Sequence, residues 1–417
     1  MTDILIETDS ERVVLFIKGD TPPNFAQRAL LEDTKFLMHR CNCSISYTPR
    51  EANKCADGLA NLGATHQDNL VVLDDPPSAI GPFLVLLSNL TSLRHLDLSV
   101  CALEILSLRF NQLSSHLPDE LEQFKLLQFL NLRNNLLSGS IPTTIGRLAS
   151  LEYLDFERNQ LNGTLPQSFG HLSKLQQLYV SNNMLEDIVS EIHFTNLINL
   201  NRIYGSGNQL TLKVSRDWIP PFQLIGVELA SWNLGPKFPI WLRPQKDLAI
   251  LDLSYTGILD EIPIWFWKFS SSLYFVDLLH NQIHGEILYL FIASKVQHIY
   301  LNFNHFSGPL PRISSNLEDL HFSNNSFSRD ISHFLCDRKD KQKKLAFLDL
   351  GENLLSGEIP DCSMSWQSLI LIEMGNNNLT GNIPRSMGHL GGLQSLHLRN
   401  NSFSGEMPLS LQNWTNL

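Results

Sequence analysis

One pattern, L-x-L-x-x-N-x-L-x-G-x-I-P, recurs along this chain and constrains its fold more than any other feature. It returns about every 24 residues from about Leu96 to the end of the chain. The asparagine position is occupied in turn by Cys101, Asn111, Asn135, Asn159, Asn183, Asn208, Trp232, Thr256, Asn281, Asn304, Asn325, Asn353, Asn377 and Asn401. A fixed period of this length predicts a solenoid of stacked coils. Solenoids usually bind other molecules along an extended concave face.

The unit that ends at Asn135 shows why the spacing is strict. Leu127, Leu130 and Leu132 point inward from a short strand, and the residues between them face outward. Asn135 follows where the chain leaves the strand, so its amide can bond the backbone of neighbouring coils. One coil cannot bury its own leucines. Stacking many coils buries them and is predicted to give a parallel sheet on the concave side.

The limb after each asparagine reads L-x-G-x-I-P, as in residues 137–142 and 355–360. Its glycine and proline predict a convex side that is irregular and turn-rich rather than helical. Cys101 and Asn111 lie only 10 residues apart, so one repeat is expected to lack this limb, as a degenerate repeat or a faulty exon join. The limb resembles the plant-specific subtype of leucine-rich repeat over residues 83–417. That resemblance implies an α/β fold class, as a right-handed solenoid of about 13–14 repeats.

Three segments, at residues 231–242, 262–267 and 359–363, are similar to the ectodomains of plant receptor-like proteins, the group that includes the fungal xylanase receptors of plant immunity. The resemblance implies a protein or peptide elicitor as ligand, partner receptor kinases for signalling, and the extracellular face of the plasma membrane. It implies no cofactor for the array. The sequence itself shows no secretory signal and no apolar run of the roughly 20 residues needed to span a bilayer. The array is expected to be truncated at Leu417, where a new strand begins.

Candidate ligand-binding residues lie between the two inner leucines of each strand and close by. Asp is the default there, as in Asp97, Asp252 and Asp349, so departures from Asp are the more informative positions. The candidates are the neighbours Tyr179 and Tyr204 with Arg133 and Glu157 close by, and a second pair, Tyr300 and His321. Aromatic and arginine side chains commonly anchor interfaces. The alternative is scattered surface variation.

The first 80 residues lie outside the repeat and predict an α/β unit. The predicted strands are Ile4–Thr8 and Ser44–Thr48, and the predicted helices are Ser10–Ile17, Gln27–His39 and Glu51–Leu62. The proline-rich residues 76–82 form a predicted linker between this unit, at residues 1–75, and the array.

Residues 6–10 and 50–62 resemble the later part of the ribonuclease H-like domains of plant retroelements. That family cuts the RNA strand of RNA–DNA hybrids with magnesium ions held by carboxylates. The resemblance assigns two of those carboxylates to Asp9 and Asp57, while the other two are missing. Asp9 could instead belong to a helix N-cap and Asp57 to a helix surface. With half of the carboxylate cluster, magnesium binding and nuclease activity are unexpected. The first 80 residues hold 12 acidic and 7 basic side chains, so nucleic-acid binding is unexpected too.

Cysteines and glycosylation triplets bear on the compartment. Cys336 and Cys362 are predicted at similar heights on adjacent coils, within disulfide reach if the chain is secreted. The alternative is two buried free thiols. Asparagines of N-x-S/T triplets in the repeat region are Asn89, Asn162, Asn324, Asn378, Asn400 and Asn413, and Asn42 lies before it. Together they favour an extracellular ancestry.

Overall fold

A computed structural model describes residues 4–8, 43–47, 70–72, 83–86, 95–97, 103–269, 272–288, 290, 295–336, 344–362 and 366–413. The chain divides into two compact units. The first comprises residues 1–73 and 92–98, and the second comprises residues 74–91 and 99–417.

The first unit contains two pairs of parallel strands. Ile4–Thr8 pairs with Cys43–Tyr47, so both predicted strands are present and the second begins one residue earlier than predicted. The three predicted helices lie outside the described residues. Leu70–Val72 pairs with His95–Asp97. The first strand of the repeat pattern, at Leu96, therefore does not join the sheet of the array, because its backbone pairs within the first unit.

One parallel sheet of 14 strands runs through the second unit and is named here the repeat sheet. Its strands, in order, are Phe83–Leu86, Leu103–Ser107, Phe129–Asn131, Tyr153–Asp155, Gln177–Tyr179, Arg202–Tyr204, Gly226–Glu228, Ile250–Asp252, Phe275–Asp277, His298–Tyr300, Asp319–His321, Phe347–Asp349, Leu371–Glu373 and Ser395–His397. Each repeat from that of Asn111 onward contributes one short strand, as the period predicts. The first two strands pair directly with a register shift beside Phe83, and the second of them, Leu103–Ser107, lies in the short segment between Cys101 and Asn111.

The limb after the asparagine is more regular than predicted, because much of it forms a second set of parallel strands. A four-stranded sheet contains Ser138–Ser140, Gln160–Gly163, Met184–Val189 and Gln209–Leu212. A six-stranded sheet contains His284–Gly285, His305–Gly308, Ser326–Asp330, Leu354–Glu358, Asn378–Gly381 and Ser402–Phe403. Equal spacing brings the same backbone groups of successive coils into register, and those groups then pair. The prediction of an irregular convex side is wrong for this part of the limb.

Short helical turns complete the limb. The 3₁₀ turns are Asp119–Gln123, Thr143–Arg147, Gln167–His171, Glu191–Phe194, Ile240–Leu242, Arg385–His389 and Leu409–Asn413, and the α-helical turns are Phe266–Phe269 and Ser332–Leu335. Pro142 and Pro166 directly precede two of the 3₁₀ turns, with φ of −69° and −65°. Proline sets this φ without help from packing and needs no backbone donor at the start of a turn.

The repeat asparagines form a hydrogen-bonded ladder through the core, as the sequence predicts. Asn135 Oδ1 accepts from Leu113 N at 3.1 Å, and its Nδ2 donates to Leu108 O at 2.8 Å and to Leu132 O at 3.0 Å. Two of these partners belong to the preceding coil, so each asparagine ties two coils together. The leucines beside them are buried. The ladder satisfies backbone groups that a curved solenoid would otherwise bury unpaired.

Two consecutive repeats replace the asparagine, and they lie between the four-stranded and six-stranded outer sheets. Trp232 Nε1 donates to Gly205 O at 2.8 Å, which is the carbonyl that an asparagine there would bond. Thr256 Oγ1 donates to Leu253 O at 2.8 Å in its own coil. Each replacement supplies part of the asparagine's hydrogen bonding, which keeps the repeat sheet continuous through this region.

Candidate functional site

The face of the repeat sheet opposite the buried leucines presents side chains in rows, because equivalent residues of successive repeats pair in register. Some of these side chains are themselves buried, as Asn131 and Asp155 are. The row four positions before the repeat asparagine is named here the inner row. Its members from the third strand onward are Asn131, Asp155, Tyr179, Tyr204, Glu228, Asp252, Asp277, Tyr300, His321, Asp349, Glu373 and His397. Four of the six candidate ligand residues lie in this row.

The default Asp of the inner row has a structural role. Asp155 Oδ1 accepts from Glu157 N at 2.9 Å, and Asp277 Oδ1 accepts from Leu279 N at 2.9 Å. In each case the carboxylate bonds the backbone N–H two residues later, as the strand ends. An acidic side chain with a short reach satisfies this donor locally. Tyr and His at the same position do not make that hydrogen bond, and they place aromatic rings on this face of the sheet instead.

The first predicted cluster is assembled by the structure. Tyr179 and Tyr204 meet edge to face, with ring centroids 5.0 Å apart. Tyr153 extends the series, with its ring centroid 5.3 Å from that of Tyr179, and stacks on Phe129 at 4.2 Å. Gly226 follows on the next strand, and a Cβ there would lie 2.7 Å from Tyr204 Oη, so glycine leaves room for this ring. The sequence reasoning missed Phe129 and Tyr153, which lie two positions before the inner row.

Arg133 and Glu157 lie beside that cluster, and they bond each other. Arg133 Nη1 is 2.7 Å from Glu157 Oε2, and the Glu157 residue is only 9% exposed. Arg158 Nε lies 3.4 Å from the other carboxylate oxygen. Two partly buried charges that are paired in this way chiefly hold neighbouring coils in place. Breaking such a pair by removing one partner is costly, because the other charge is left buried.

Tyr300 and His321 form the second predicted cluster. Their rings stack with centroids 4.7 Å apart and an interplanar angle of 15°. Tyr300 Oη donates to Asp319 Oδ2 at 3.4 Å. Burial and the neighbouring Asp319 carboxylate raise the pKa of Tyr300 to about 12, so the phenol stays protonated. Tyr300 therefore contributes a neutral aromatic ring with a polar edge to the cluster.

Three consecutive carboxylates occupy the inner row between the two clusters: Glu228, Asp252 and Asp277. Burial, followed by the Asp252 and Glu157 charges, raises the pKa of Glu228 to about 7. Burial and the Asp252 charge likewise raise the pKa of Asp277 to about 7. Burial also raises the pKa of Asp252. Sequence reasoning passed over this group, because Asp is the default there and only Glu228 departs from it.

The remaining candidates divide between described and undescribed residues. Cys336 and Cys362 are joined by a disulfide with a Cα–Cα distance of 6.1 Å, across neighbouring coils. The side chains of Asn162, Asn378 and Asn400 are exposed, and that of Asn324 is half-buried. The backbone of Asn413 ends a 3₁₀ turn.

Asp9 and Asp57 lie outside the described residues, as does Asn89. The described parts of the chain hold no group of three or more His, Cys, Asp or Glu side chains that could bind a metal ion. A search of the same residues for a helix long and apolar enough to span a membrane finds none.

A solenoid of parallel strands with an asparagine ladder is the architecture of leucine-rich-repeat proteins, and family models agree. Residues 138–185 match one leucine-rich-repeat model, and residues 102–124, 126–148 and 392–414 match a second. Residues 1–63 match a reverse transcriptase-like model. The N-terminal part of the chain and the repeat array thus have separate relatives, as the sequence motifs indicate.

Curated relatives of the array are plant receptor-like proteins. The chain is 39% identical over 183 residues to Receptor-like protein EIX2 of Solanum lycopersicum, which covers 43% of this chain and 18% of the relative. It is 40% identical over 139 residues to Receptor-like protein EIX1 of the same plant, covering 32% of this chain and 13% of the relative. The resemblance to plant receptor-like proteins is therefore confirmed, and each match spans less than a fifth of the relative.

Solved structures confirm the fold. The PEPR1–AtPEP1 structure matches with a TM-score of 0.69 and 25% identity, over 75% of this chain and 44% of that one. The ectodomain of the Arabidopsis thaliana receptor kinase GASSHO1/SCHENGEN3, in complex with CASPARIAN STRIP INTEGRITY FACTOR 2, matches with a TM-score of 0.57 and 27% identity, over 77% of this chain and 44% of that one. The expected α/β repeat solenoid is thus the observed class.

Proposed function

We propose that the repeat array binds a protein or peptide elicitor on the exposed face of the repeat sheet, as part of a plant immune receptor-like protein. The observation that carries this proposal is the inner row. It replaces the structurally useful Asp with Tyr179 and Tyr204 in one region and with Tyr300 and His321 in another. Aromatic side chains placed on a rigid sheet are effective anchors for a partner.

The relatives support the setting of this activity. The similar proteins of Solanum lycopersicum are receptor-like proteins, and the structure of the Arabidopsis receptor kinase HAESA, with a TM-score of 0.50 and 25% identity over 76% of this chain and 65% of that one, holds the peptide hormone IDA and the co-receptor SERK1. We therefore propose that the parent protein acts at the extracellular face of the plasma membrane and signals through partner kinases. The disulfide between Cys336 and Cys362 suits an oxidising compartment.

A display selection tests the binding proposal. The full chain is immobilised, random peptides are selected against it, and hydrogen exchange then maps where each selected peptide protects the backbone. Protection is expected on strands of the repeat sheet such as Gln177–Tyr179 and Arg202–Tyr204. Protection confined to the outer sheets, or a selection that yields no binder, would refute the proposal.

Two variants sharpen that test. Tyr204→Ser should weaken a peptide that protects this region about tenfold or more, as loss of a central aromatic anchor does. Met184→Ser is the matched control, because Met184 is an exposed apolar residue on an outer strand. It should leave the affinity unchanged. Equal losses in both variants would indicate general destabilisation rather than a site on the repeat sheet.

A nuclease is the second candidate, favoured by the reverse transcriptase-like match over residues 1–63. Asp9 and Asp57 would be its magnesium ligands by resemblance, and both lie outside the described residues. Incubation of the full chain with magnesium and an RNA–DNA hybrid tests this candidate, and we expect no cleavage because the resemblance assigns only two metal-binding carboxylates to this sequence. Cleavage that Asp57→Asn abolishes would establish the enzyme.

A further inference from the structure

Three consecutive repeats carry an aromatic residue directly before the repeat asparagine position: Tyr255, His280 and Phe303. The three rings stack in one column, named here the aromatic ladder. Centroids lie 4.4 Å apart between Tyr255 and His280, and 4.1 Å apart between His280 and Phe303, with interplanar angles of 15° and 7°. Tyr255 is nevertheless 51% exposed and Phe303 40% exposed. The ladder is an apolar column that faces solvent.

The backbone under the ladder is left-handed. The φ angles of Tyr255, His280 and Phe303 are 57°, 52° and 56°. Asn182 and Asn376 occupy equivalent positions in other repeats with φ of 54°. Asparagine tolerates this conformation, whereas a bulky side chain in it costs on the order of 1 kcal/mol. Three aromatic residues in succession at a position that suits asparagine are therefore not explained by backbone preference.

The acidic part of the inner row runs beside the aromatic ladder. Asp252 and Asp277 belong to the same repeats as Tyr255 and His280, and Glu228 belongs to the repeat before. Backbone pairing continues from one feature to the other, since Leu253 N donates to Asp277 O and Tyr255 N donates to Leu279 O. The carboxylates of Asp252 and Asp277 end their strands, and the ladder residues follow three positions later, where the backbone turns.

A peptide in extended conformation can lie between the acidic part of the inner row and the aromatic ladder. Its backbone would lie along the array over the residues between the two features, Ser254 and Leu279. Alternate side chains of an extended chain point to opposite sides. One set would then reach the carboxylates and the other set the edges of the aromatic ladder.

We propose that the aromatic ladder and the adjacent carboxylates of Glu228, Asp252 and Asp277 together bind an extended peptide segment in which basic residues alternate with apolar ones. The inference rests on the proposed function and names the class of ligand for that surface. Charge complementarity carries the choice of occupant, because three adjacent carboxylates on an apolar-flanked sheet favour lysine or arginine. The net charge of −11 adds a long-range attraction for a cationic ligand.

The geometry of the ladder disfavours a sugar chain as occupant. Aromatic platforms for sugars present a ring face, but both faces of His280 are covered by the stacked rings of Tyr255 and Phe303. The ladder therefore offers mainly ring edges. Apolar side chains can pack on such edges, while the cationic groups lie over the carboxylates.

Fluorescence anisotropy with a labelled octapeptide of alternating lysine and leucine tests the proposal on the full chain. The double variant Glu228→Gln, Asp277→Asn should weaken binding about tenfold or more at physiological ionic strength. Asp349→Asn, Glu373→Gln is the matched control. It removes the same charge from the same row, at strands that lack the ladder. This control should change the affinity less than about twofold.

A second pair of variants tests the aromatic ladder. Tyr255→Ser, Phe303→Ser should also weaken binding about tenfold, whereas Phe347→Ser, which removes another exposed aromatic residue of the repeat sheet, should not. Thermal unfolding of every variant is measured to check that the fold is retained. The proposal is overturned if both carboxylate pairs matter equally, since the attraction would then be a general field effect. The proposal is also overturned if a sugar oligomer, cellohexaose, binds and is weakened by the same substitutions, while the peptide does not bind.

The display selection separates this inference from the proposed function. Selected peptides that protect other strands of the repeat sheet, or that carry no basic residues, would overturn the ligand class and leave peptide binding intact. Selected peptides with alternating basic and apolar residues that protect Ile250–Asp252 and Phe275–Asp277 would support both.

Discussion

Removal of one rung of the asparagine ladder is expected to destabilise the solenoid sharply at one place. Asn159 Nδ2 donates to Leu132 O and to Phe156 O, each at 3.0 Å, and its Oδ1 accepts from Leu137 N at 3.1 Å. The residue is 9% exposed. Asn159→Ala removes these three bonds and a longer one from Nδ2 to Glu157 O at 3.4 Å. The Leu137 N–H loses its acceptor, whereas Leu132 O and Phe156 O still accept from the neighbouring ladder asparagines at 3.0 Å each.

The size of the effect follows from those three bonds. A hydrogen bond contributes about 1 kcal/mol net, and a buried partner left unsatisfied raises the loss, so Asn159→Ala should cost about 3 kcal/mol or more. Asn162→Ala is the control, because Asn162 is exposed in the same repeat and its change should stay within about 0.5 kcal/mol.

Native-state hydrogen exchange is the appropriate assay, because a solenoid can open locally rather than as one unit. The amide of Leu137, which bonds Asn159 directly, should lose most of its protection in Asn159→Ala. Urea unfolding gives the global loss. If the two variants unfold alike, or if the Leu137 amide exchanges no faster, the ladder does not hold adjacent coils together in the way described.

Three further predictions concern particular groups. The folded-state pKa of Glu228 is raised to about 7 from 4.5, so its contribution to stability falls as pH rises through that window, and Glu228→Gln should stabilise the chain by on the order of 2 kcal/mol at about pH 8 and very little at about pH 4; equal shifts in melting temperature at both pH values would contradict this. Cys336→Ser should cost about 3 kcal/mol by opening the loop to Cys362, and a reductant should lower the wild-type melting temperature but not that of the variant. Trp232→Phe should cost about 2 kcal/mol or more in urea unfolding, because it removes the bond from Nε1 to Gly205 O and leaves a cavity where the larger indole is buried, and a neutral result would contradict both contributions.

The core of the fold could be predicted from the sequence, because a few positions in each repeat have fixed physical roles. Leu130 and Leu132 must be buried, and Asn135 must bond two coils, so these positions define the strands whatever the other residues are. The outer strands could not be predicted in the same way. They arise from backbone pairing between coils, and the backbone carries no sequence signal of its own.

The candidate site was predictable only in part. Tyr300 and His321 stand out because they replace the default Asp, and the structure stacks their rings. The aromatic ladder was missed, because the position before the asparagine looks like a loop residue in the sequence. Its left-handed backbone is what aligns Tyr255, His280 and Phe303 into a column.

Glu228 is the residue that best tests whether the carboxylates of the inner row serve the fold or bind a ligand. Asp252 and Asp277 bond the backbone N–H two residues on, so folding alone accounts for a carboxylate at each. In the repeat of Glu228 the equivalent donor, Ala230 N, is satisfied instead by Ser206 Oγ at 3.0 Å. The Glu228 carboxylate is therefore not needed for that bond, although burial and its neighbours oppose its charge. If Glu228→Gln stabilises the chain at high pH and weakens a basic peptide in the same measurement series, the Glu228 charge serves binding at the expense of stability. If it leaves the peptide affinity unchanged, the Glu228 charge does not serve peptide binding.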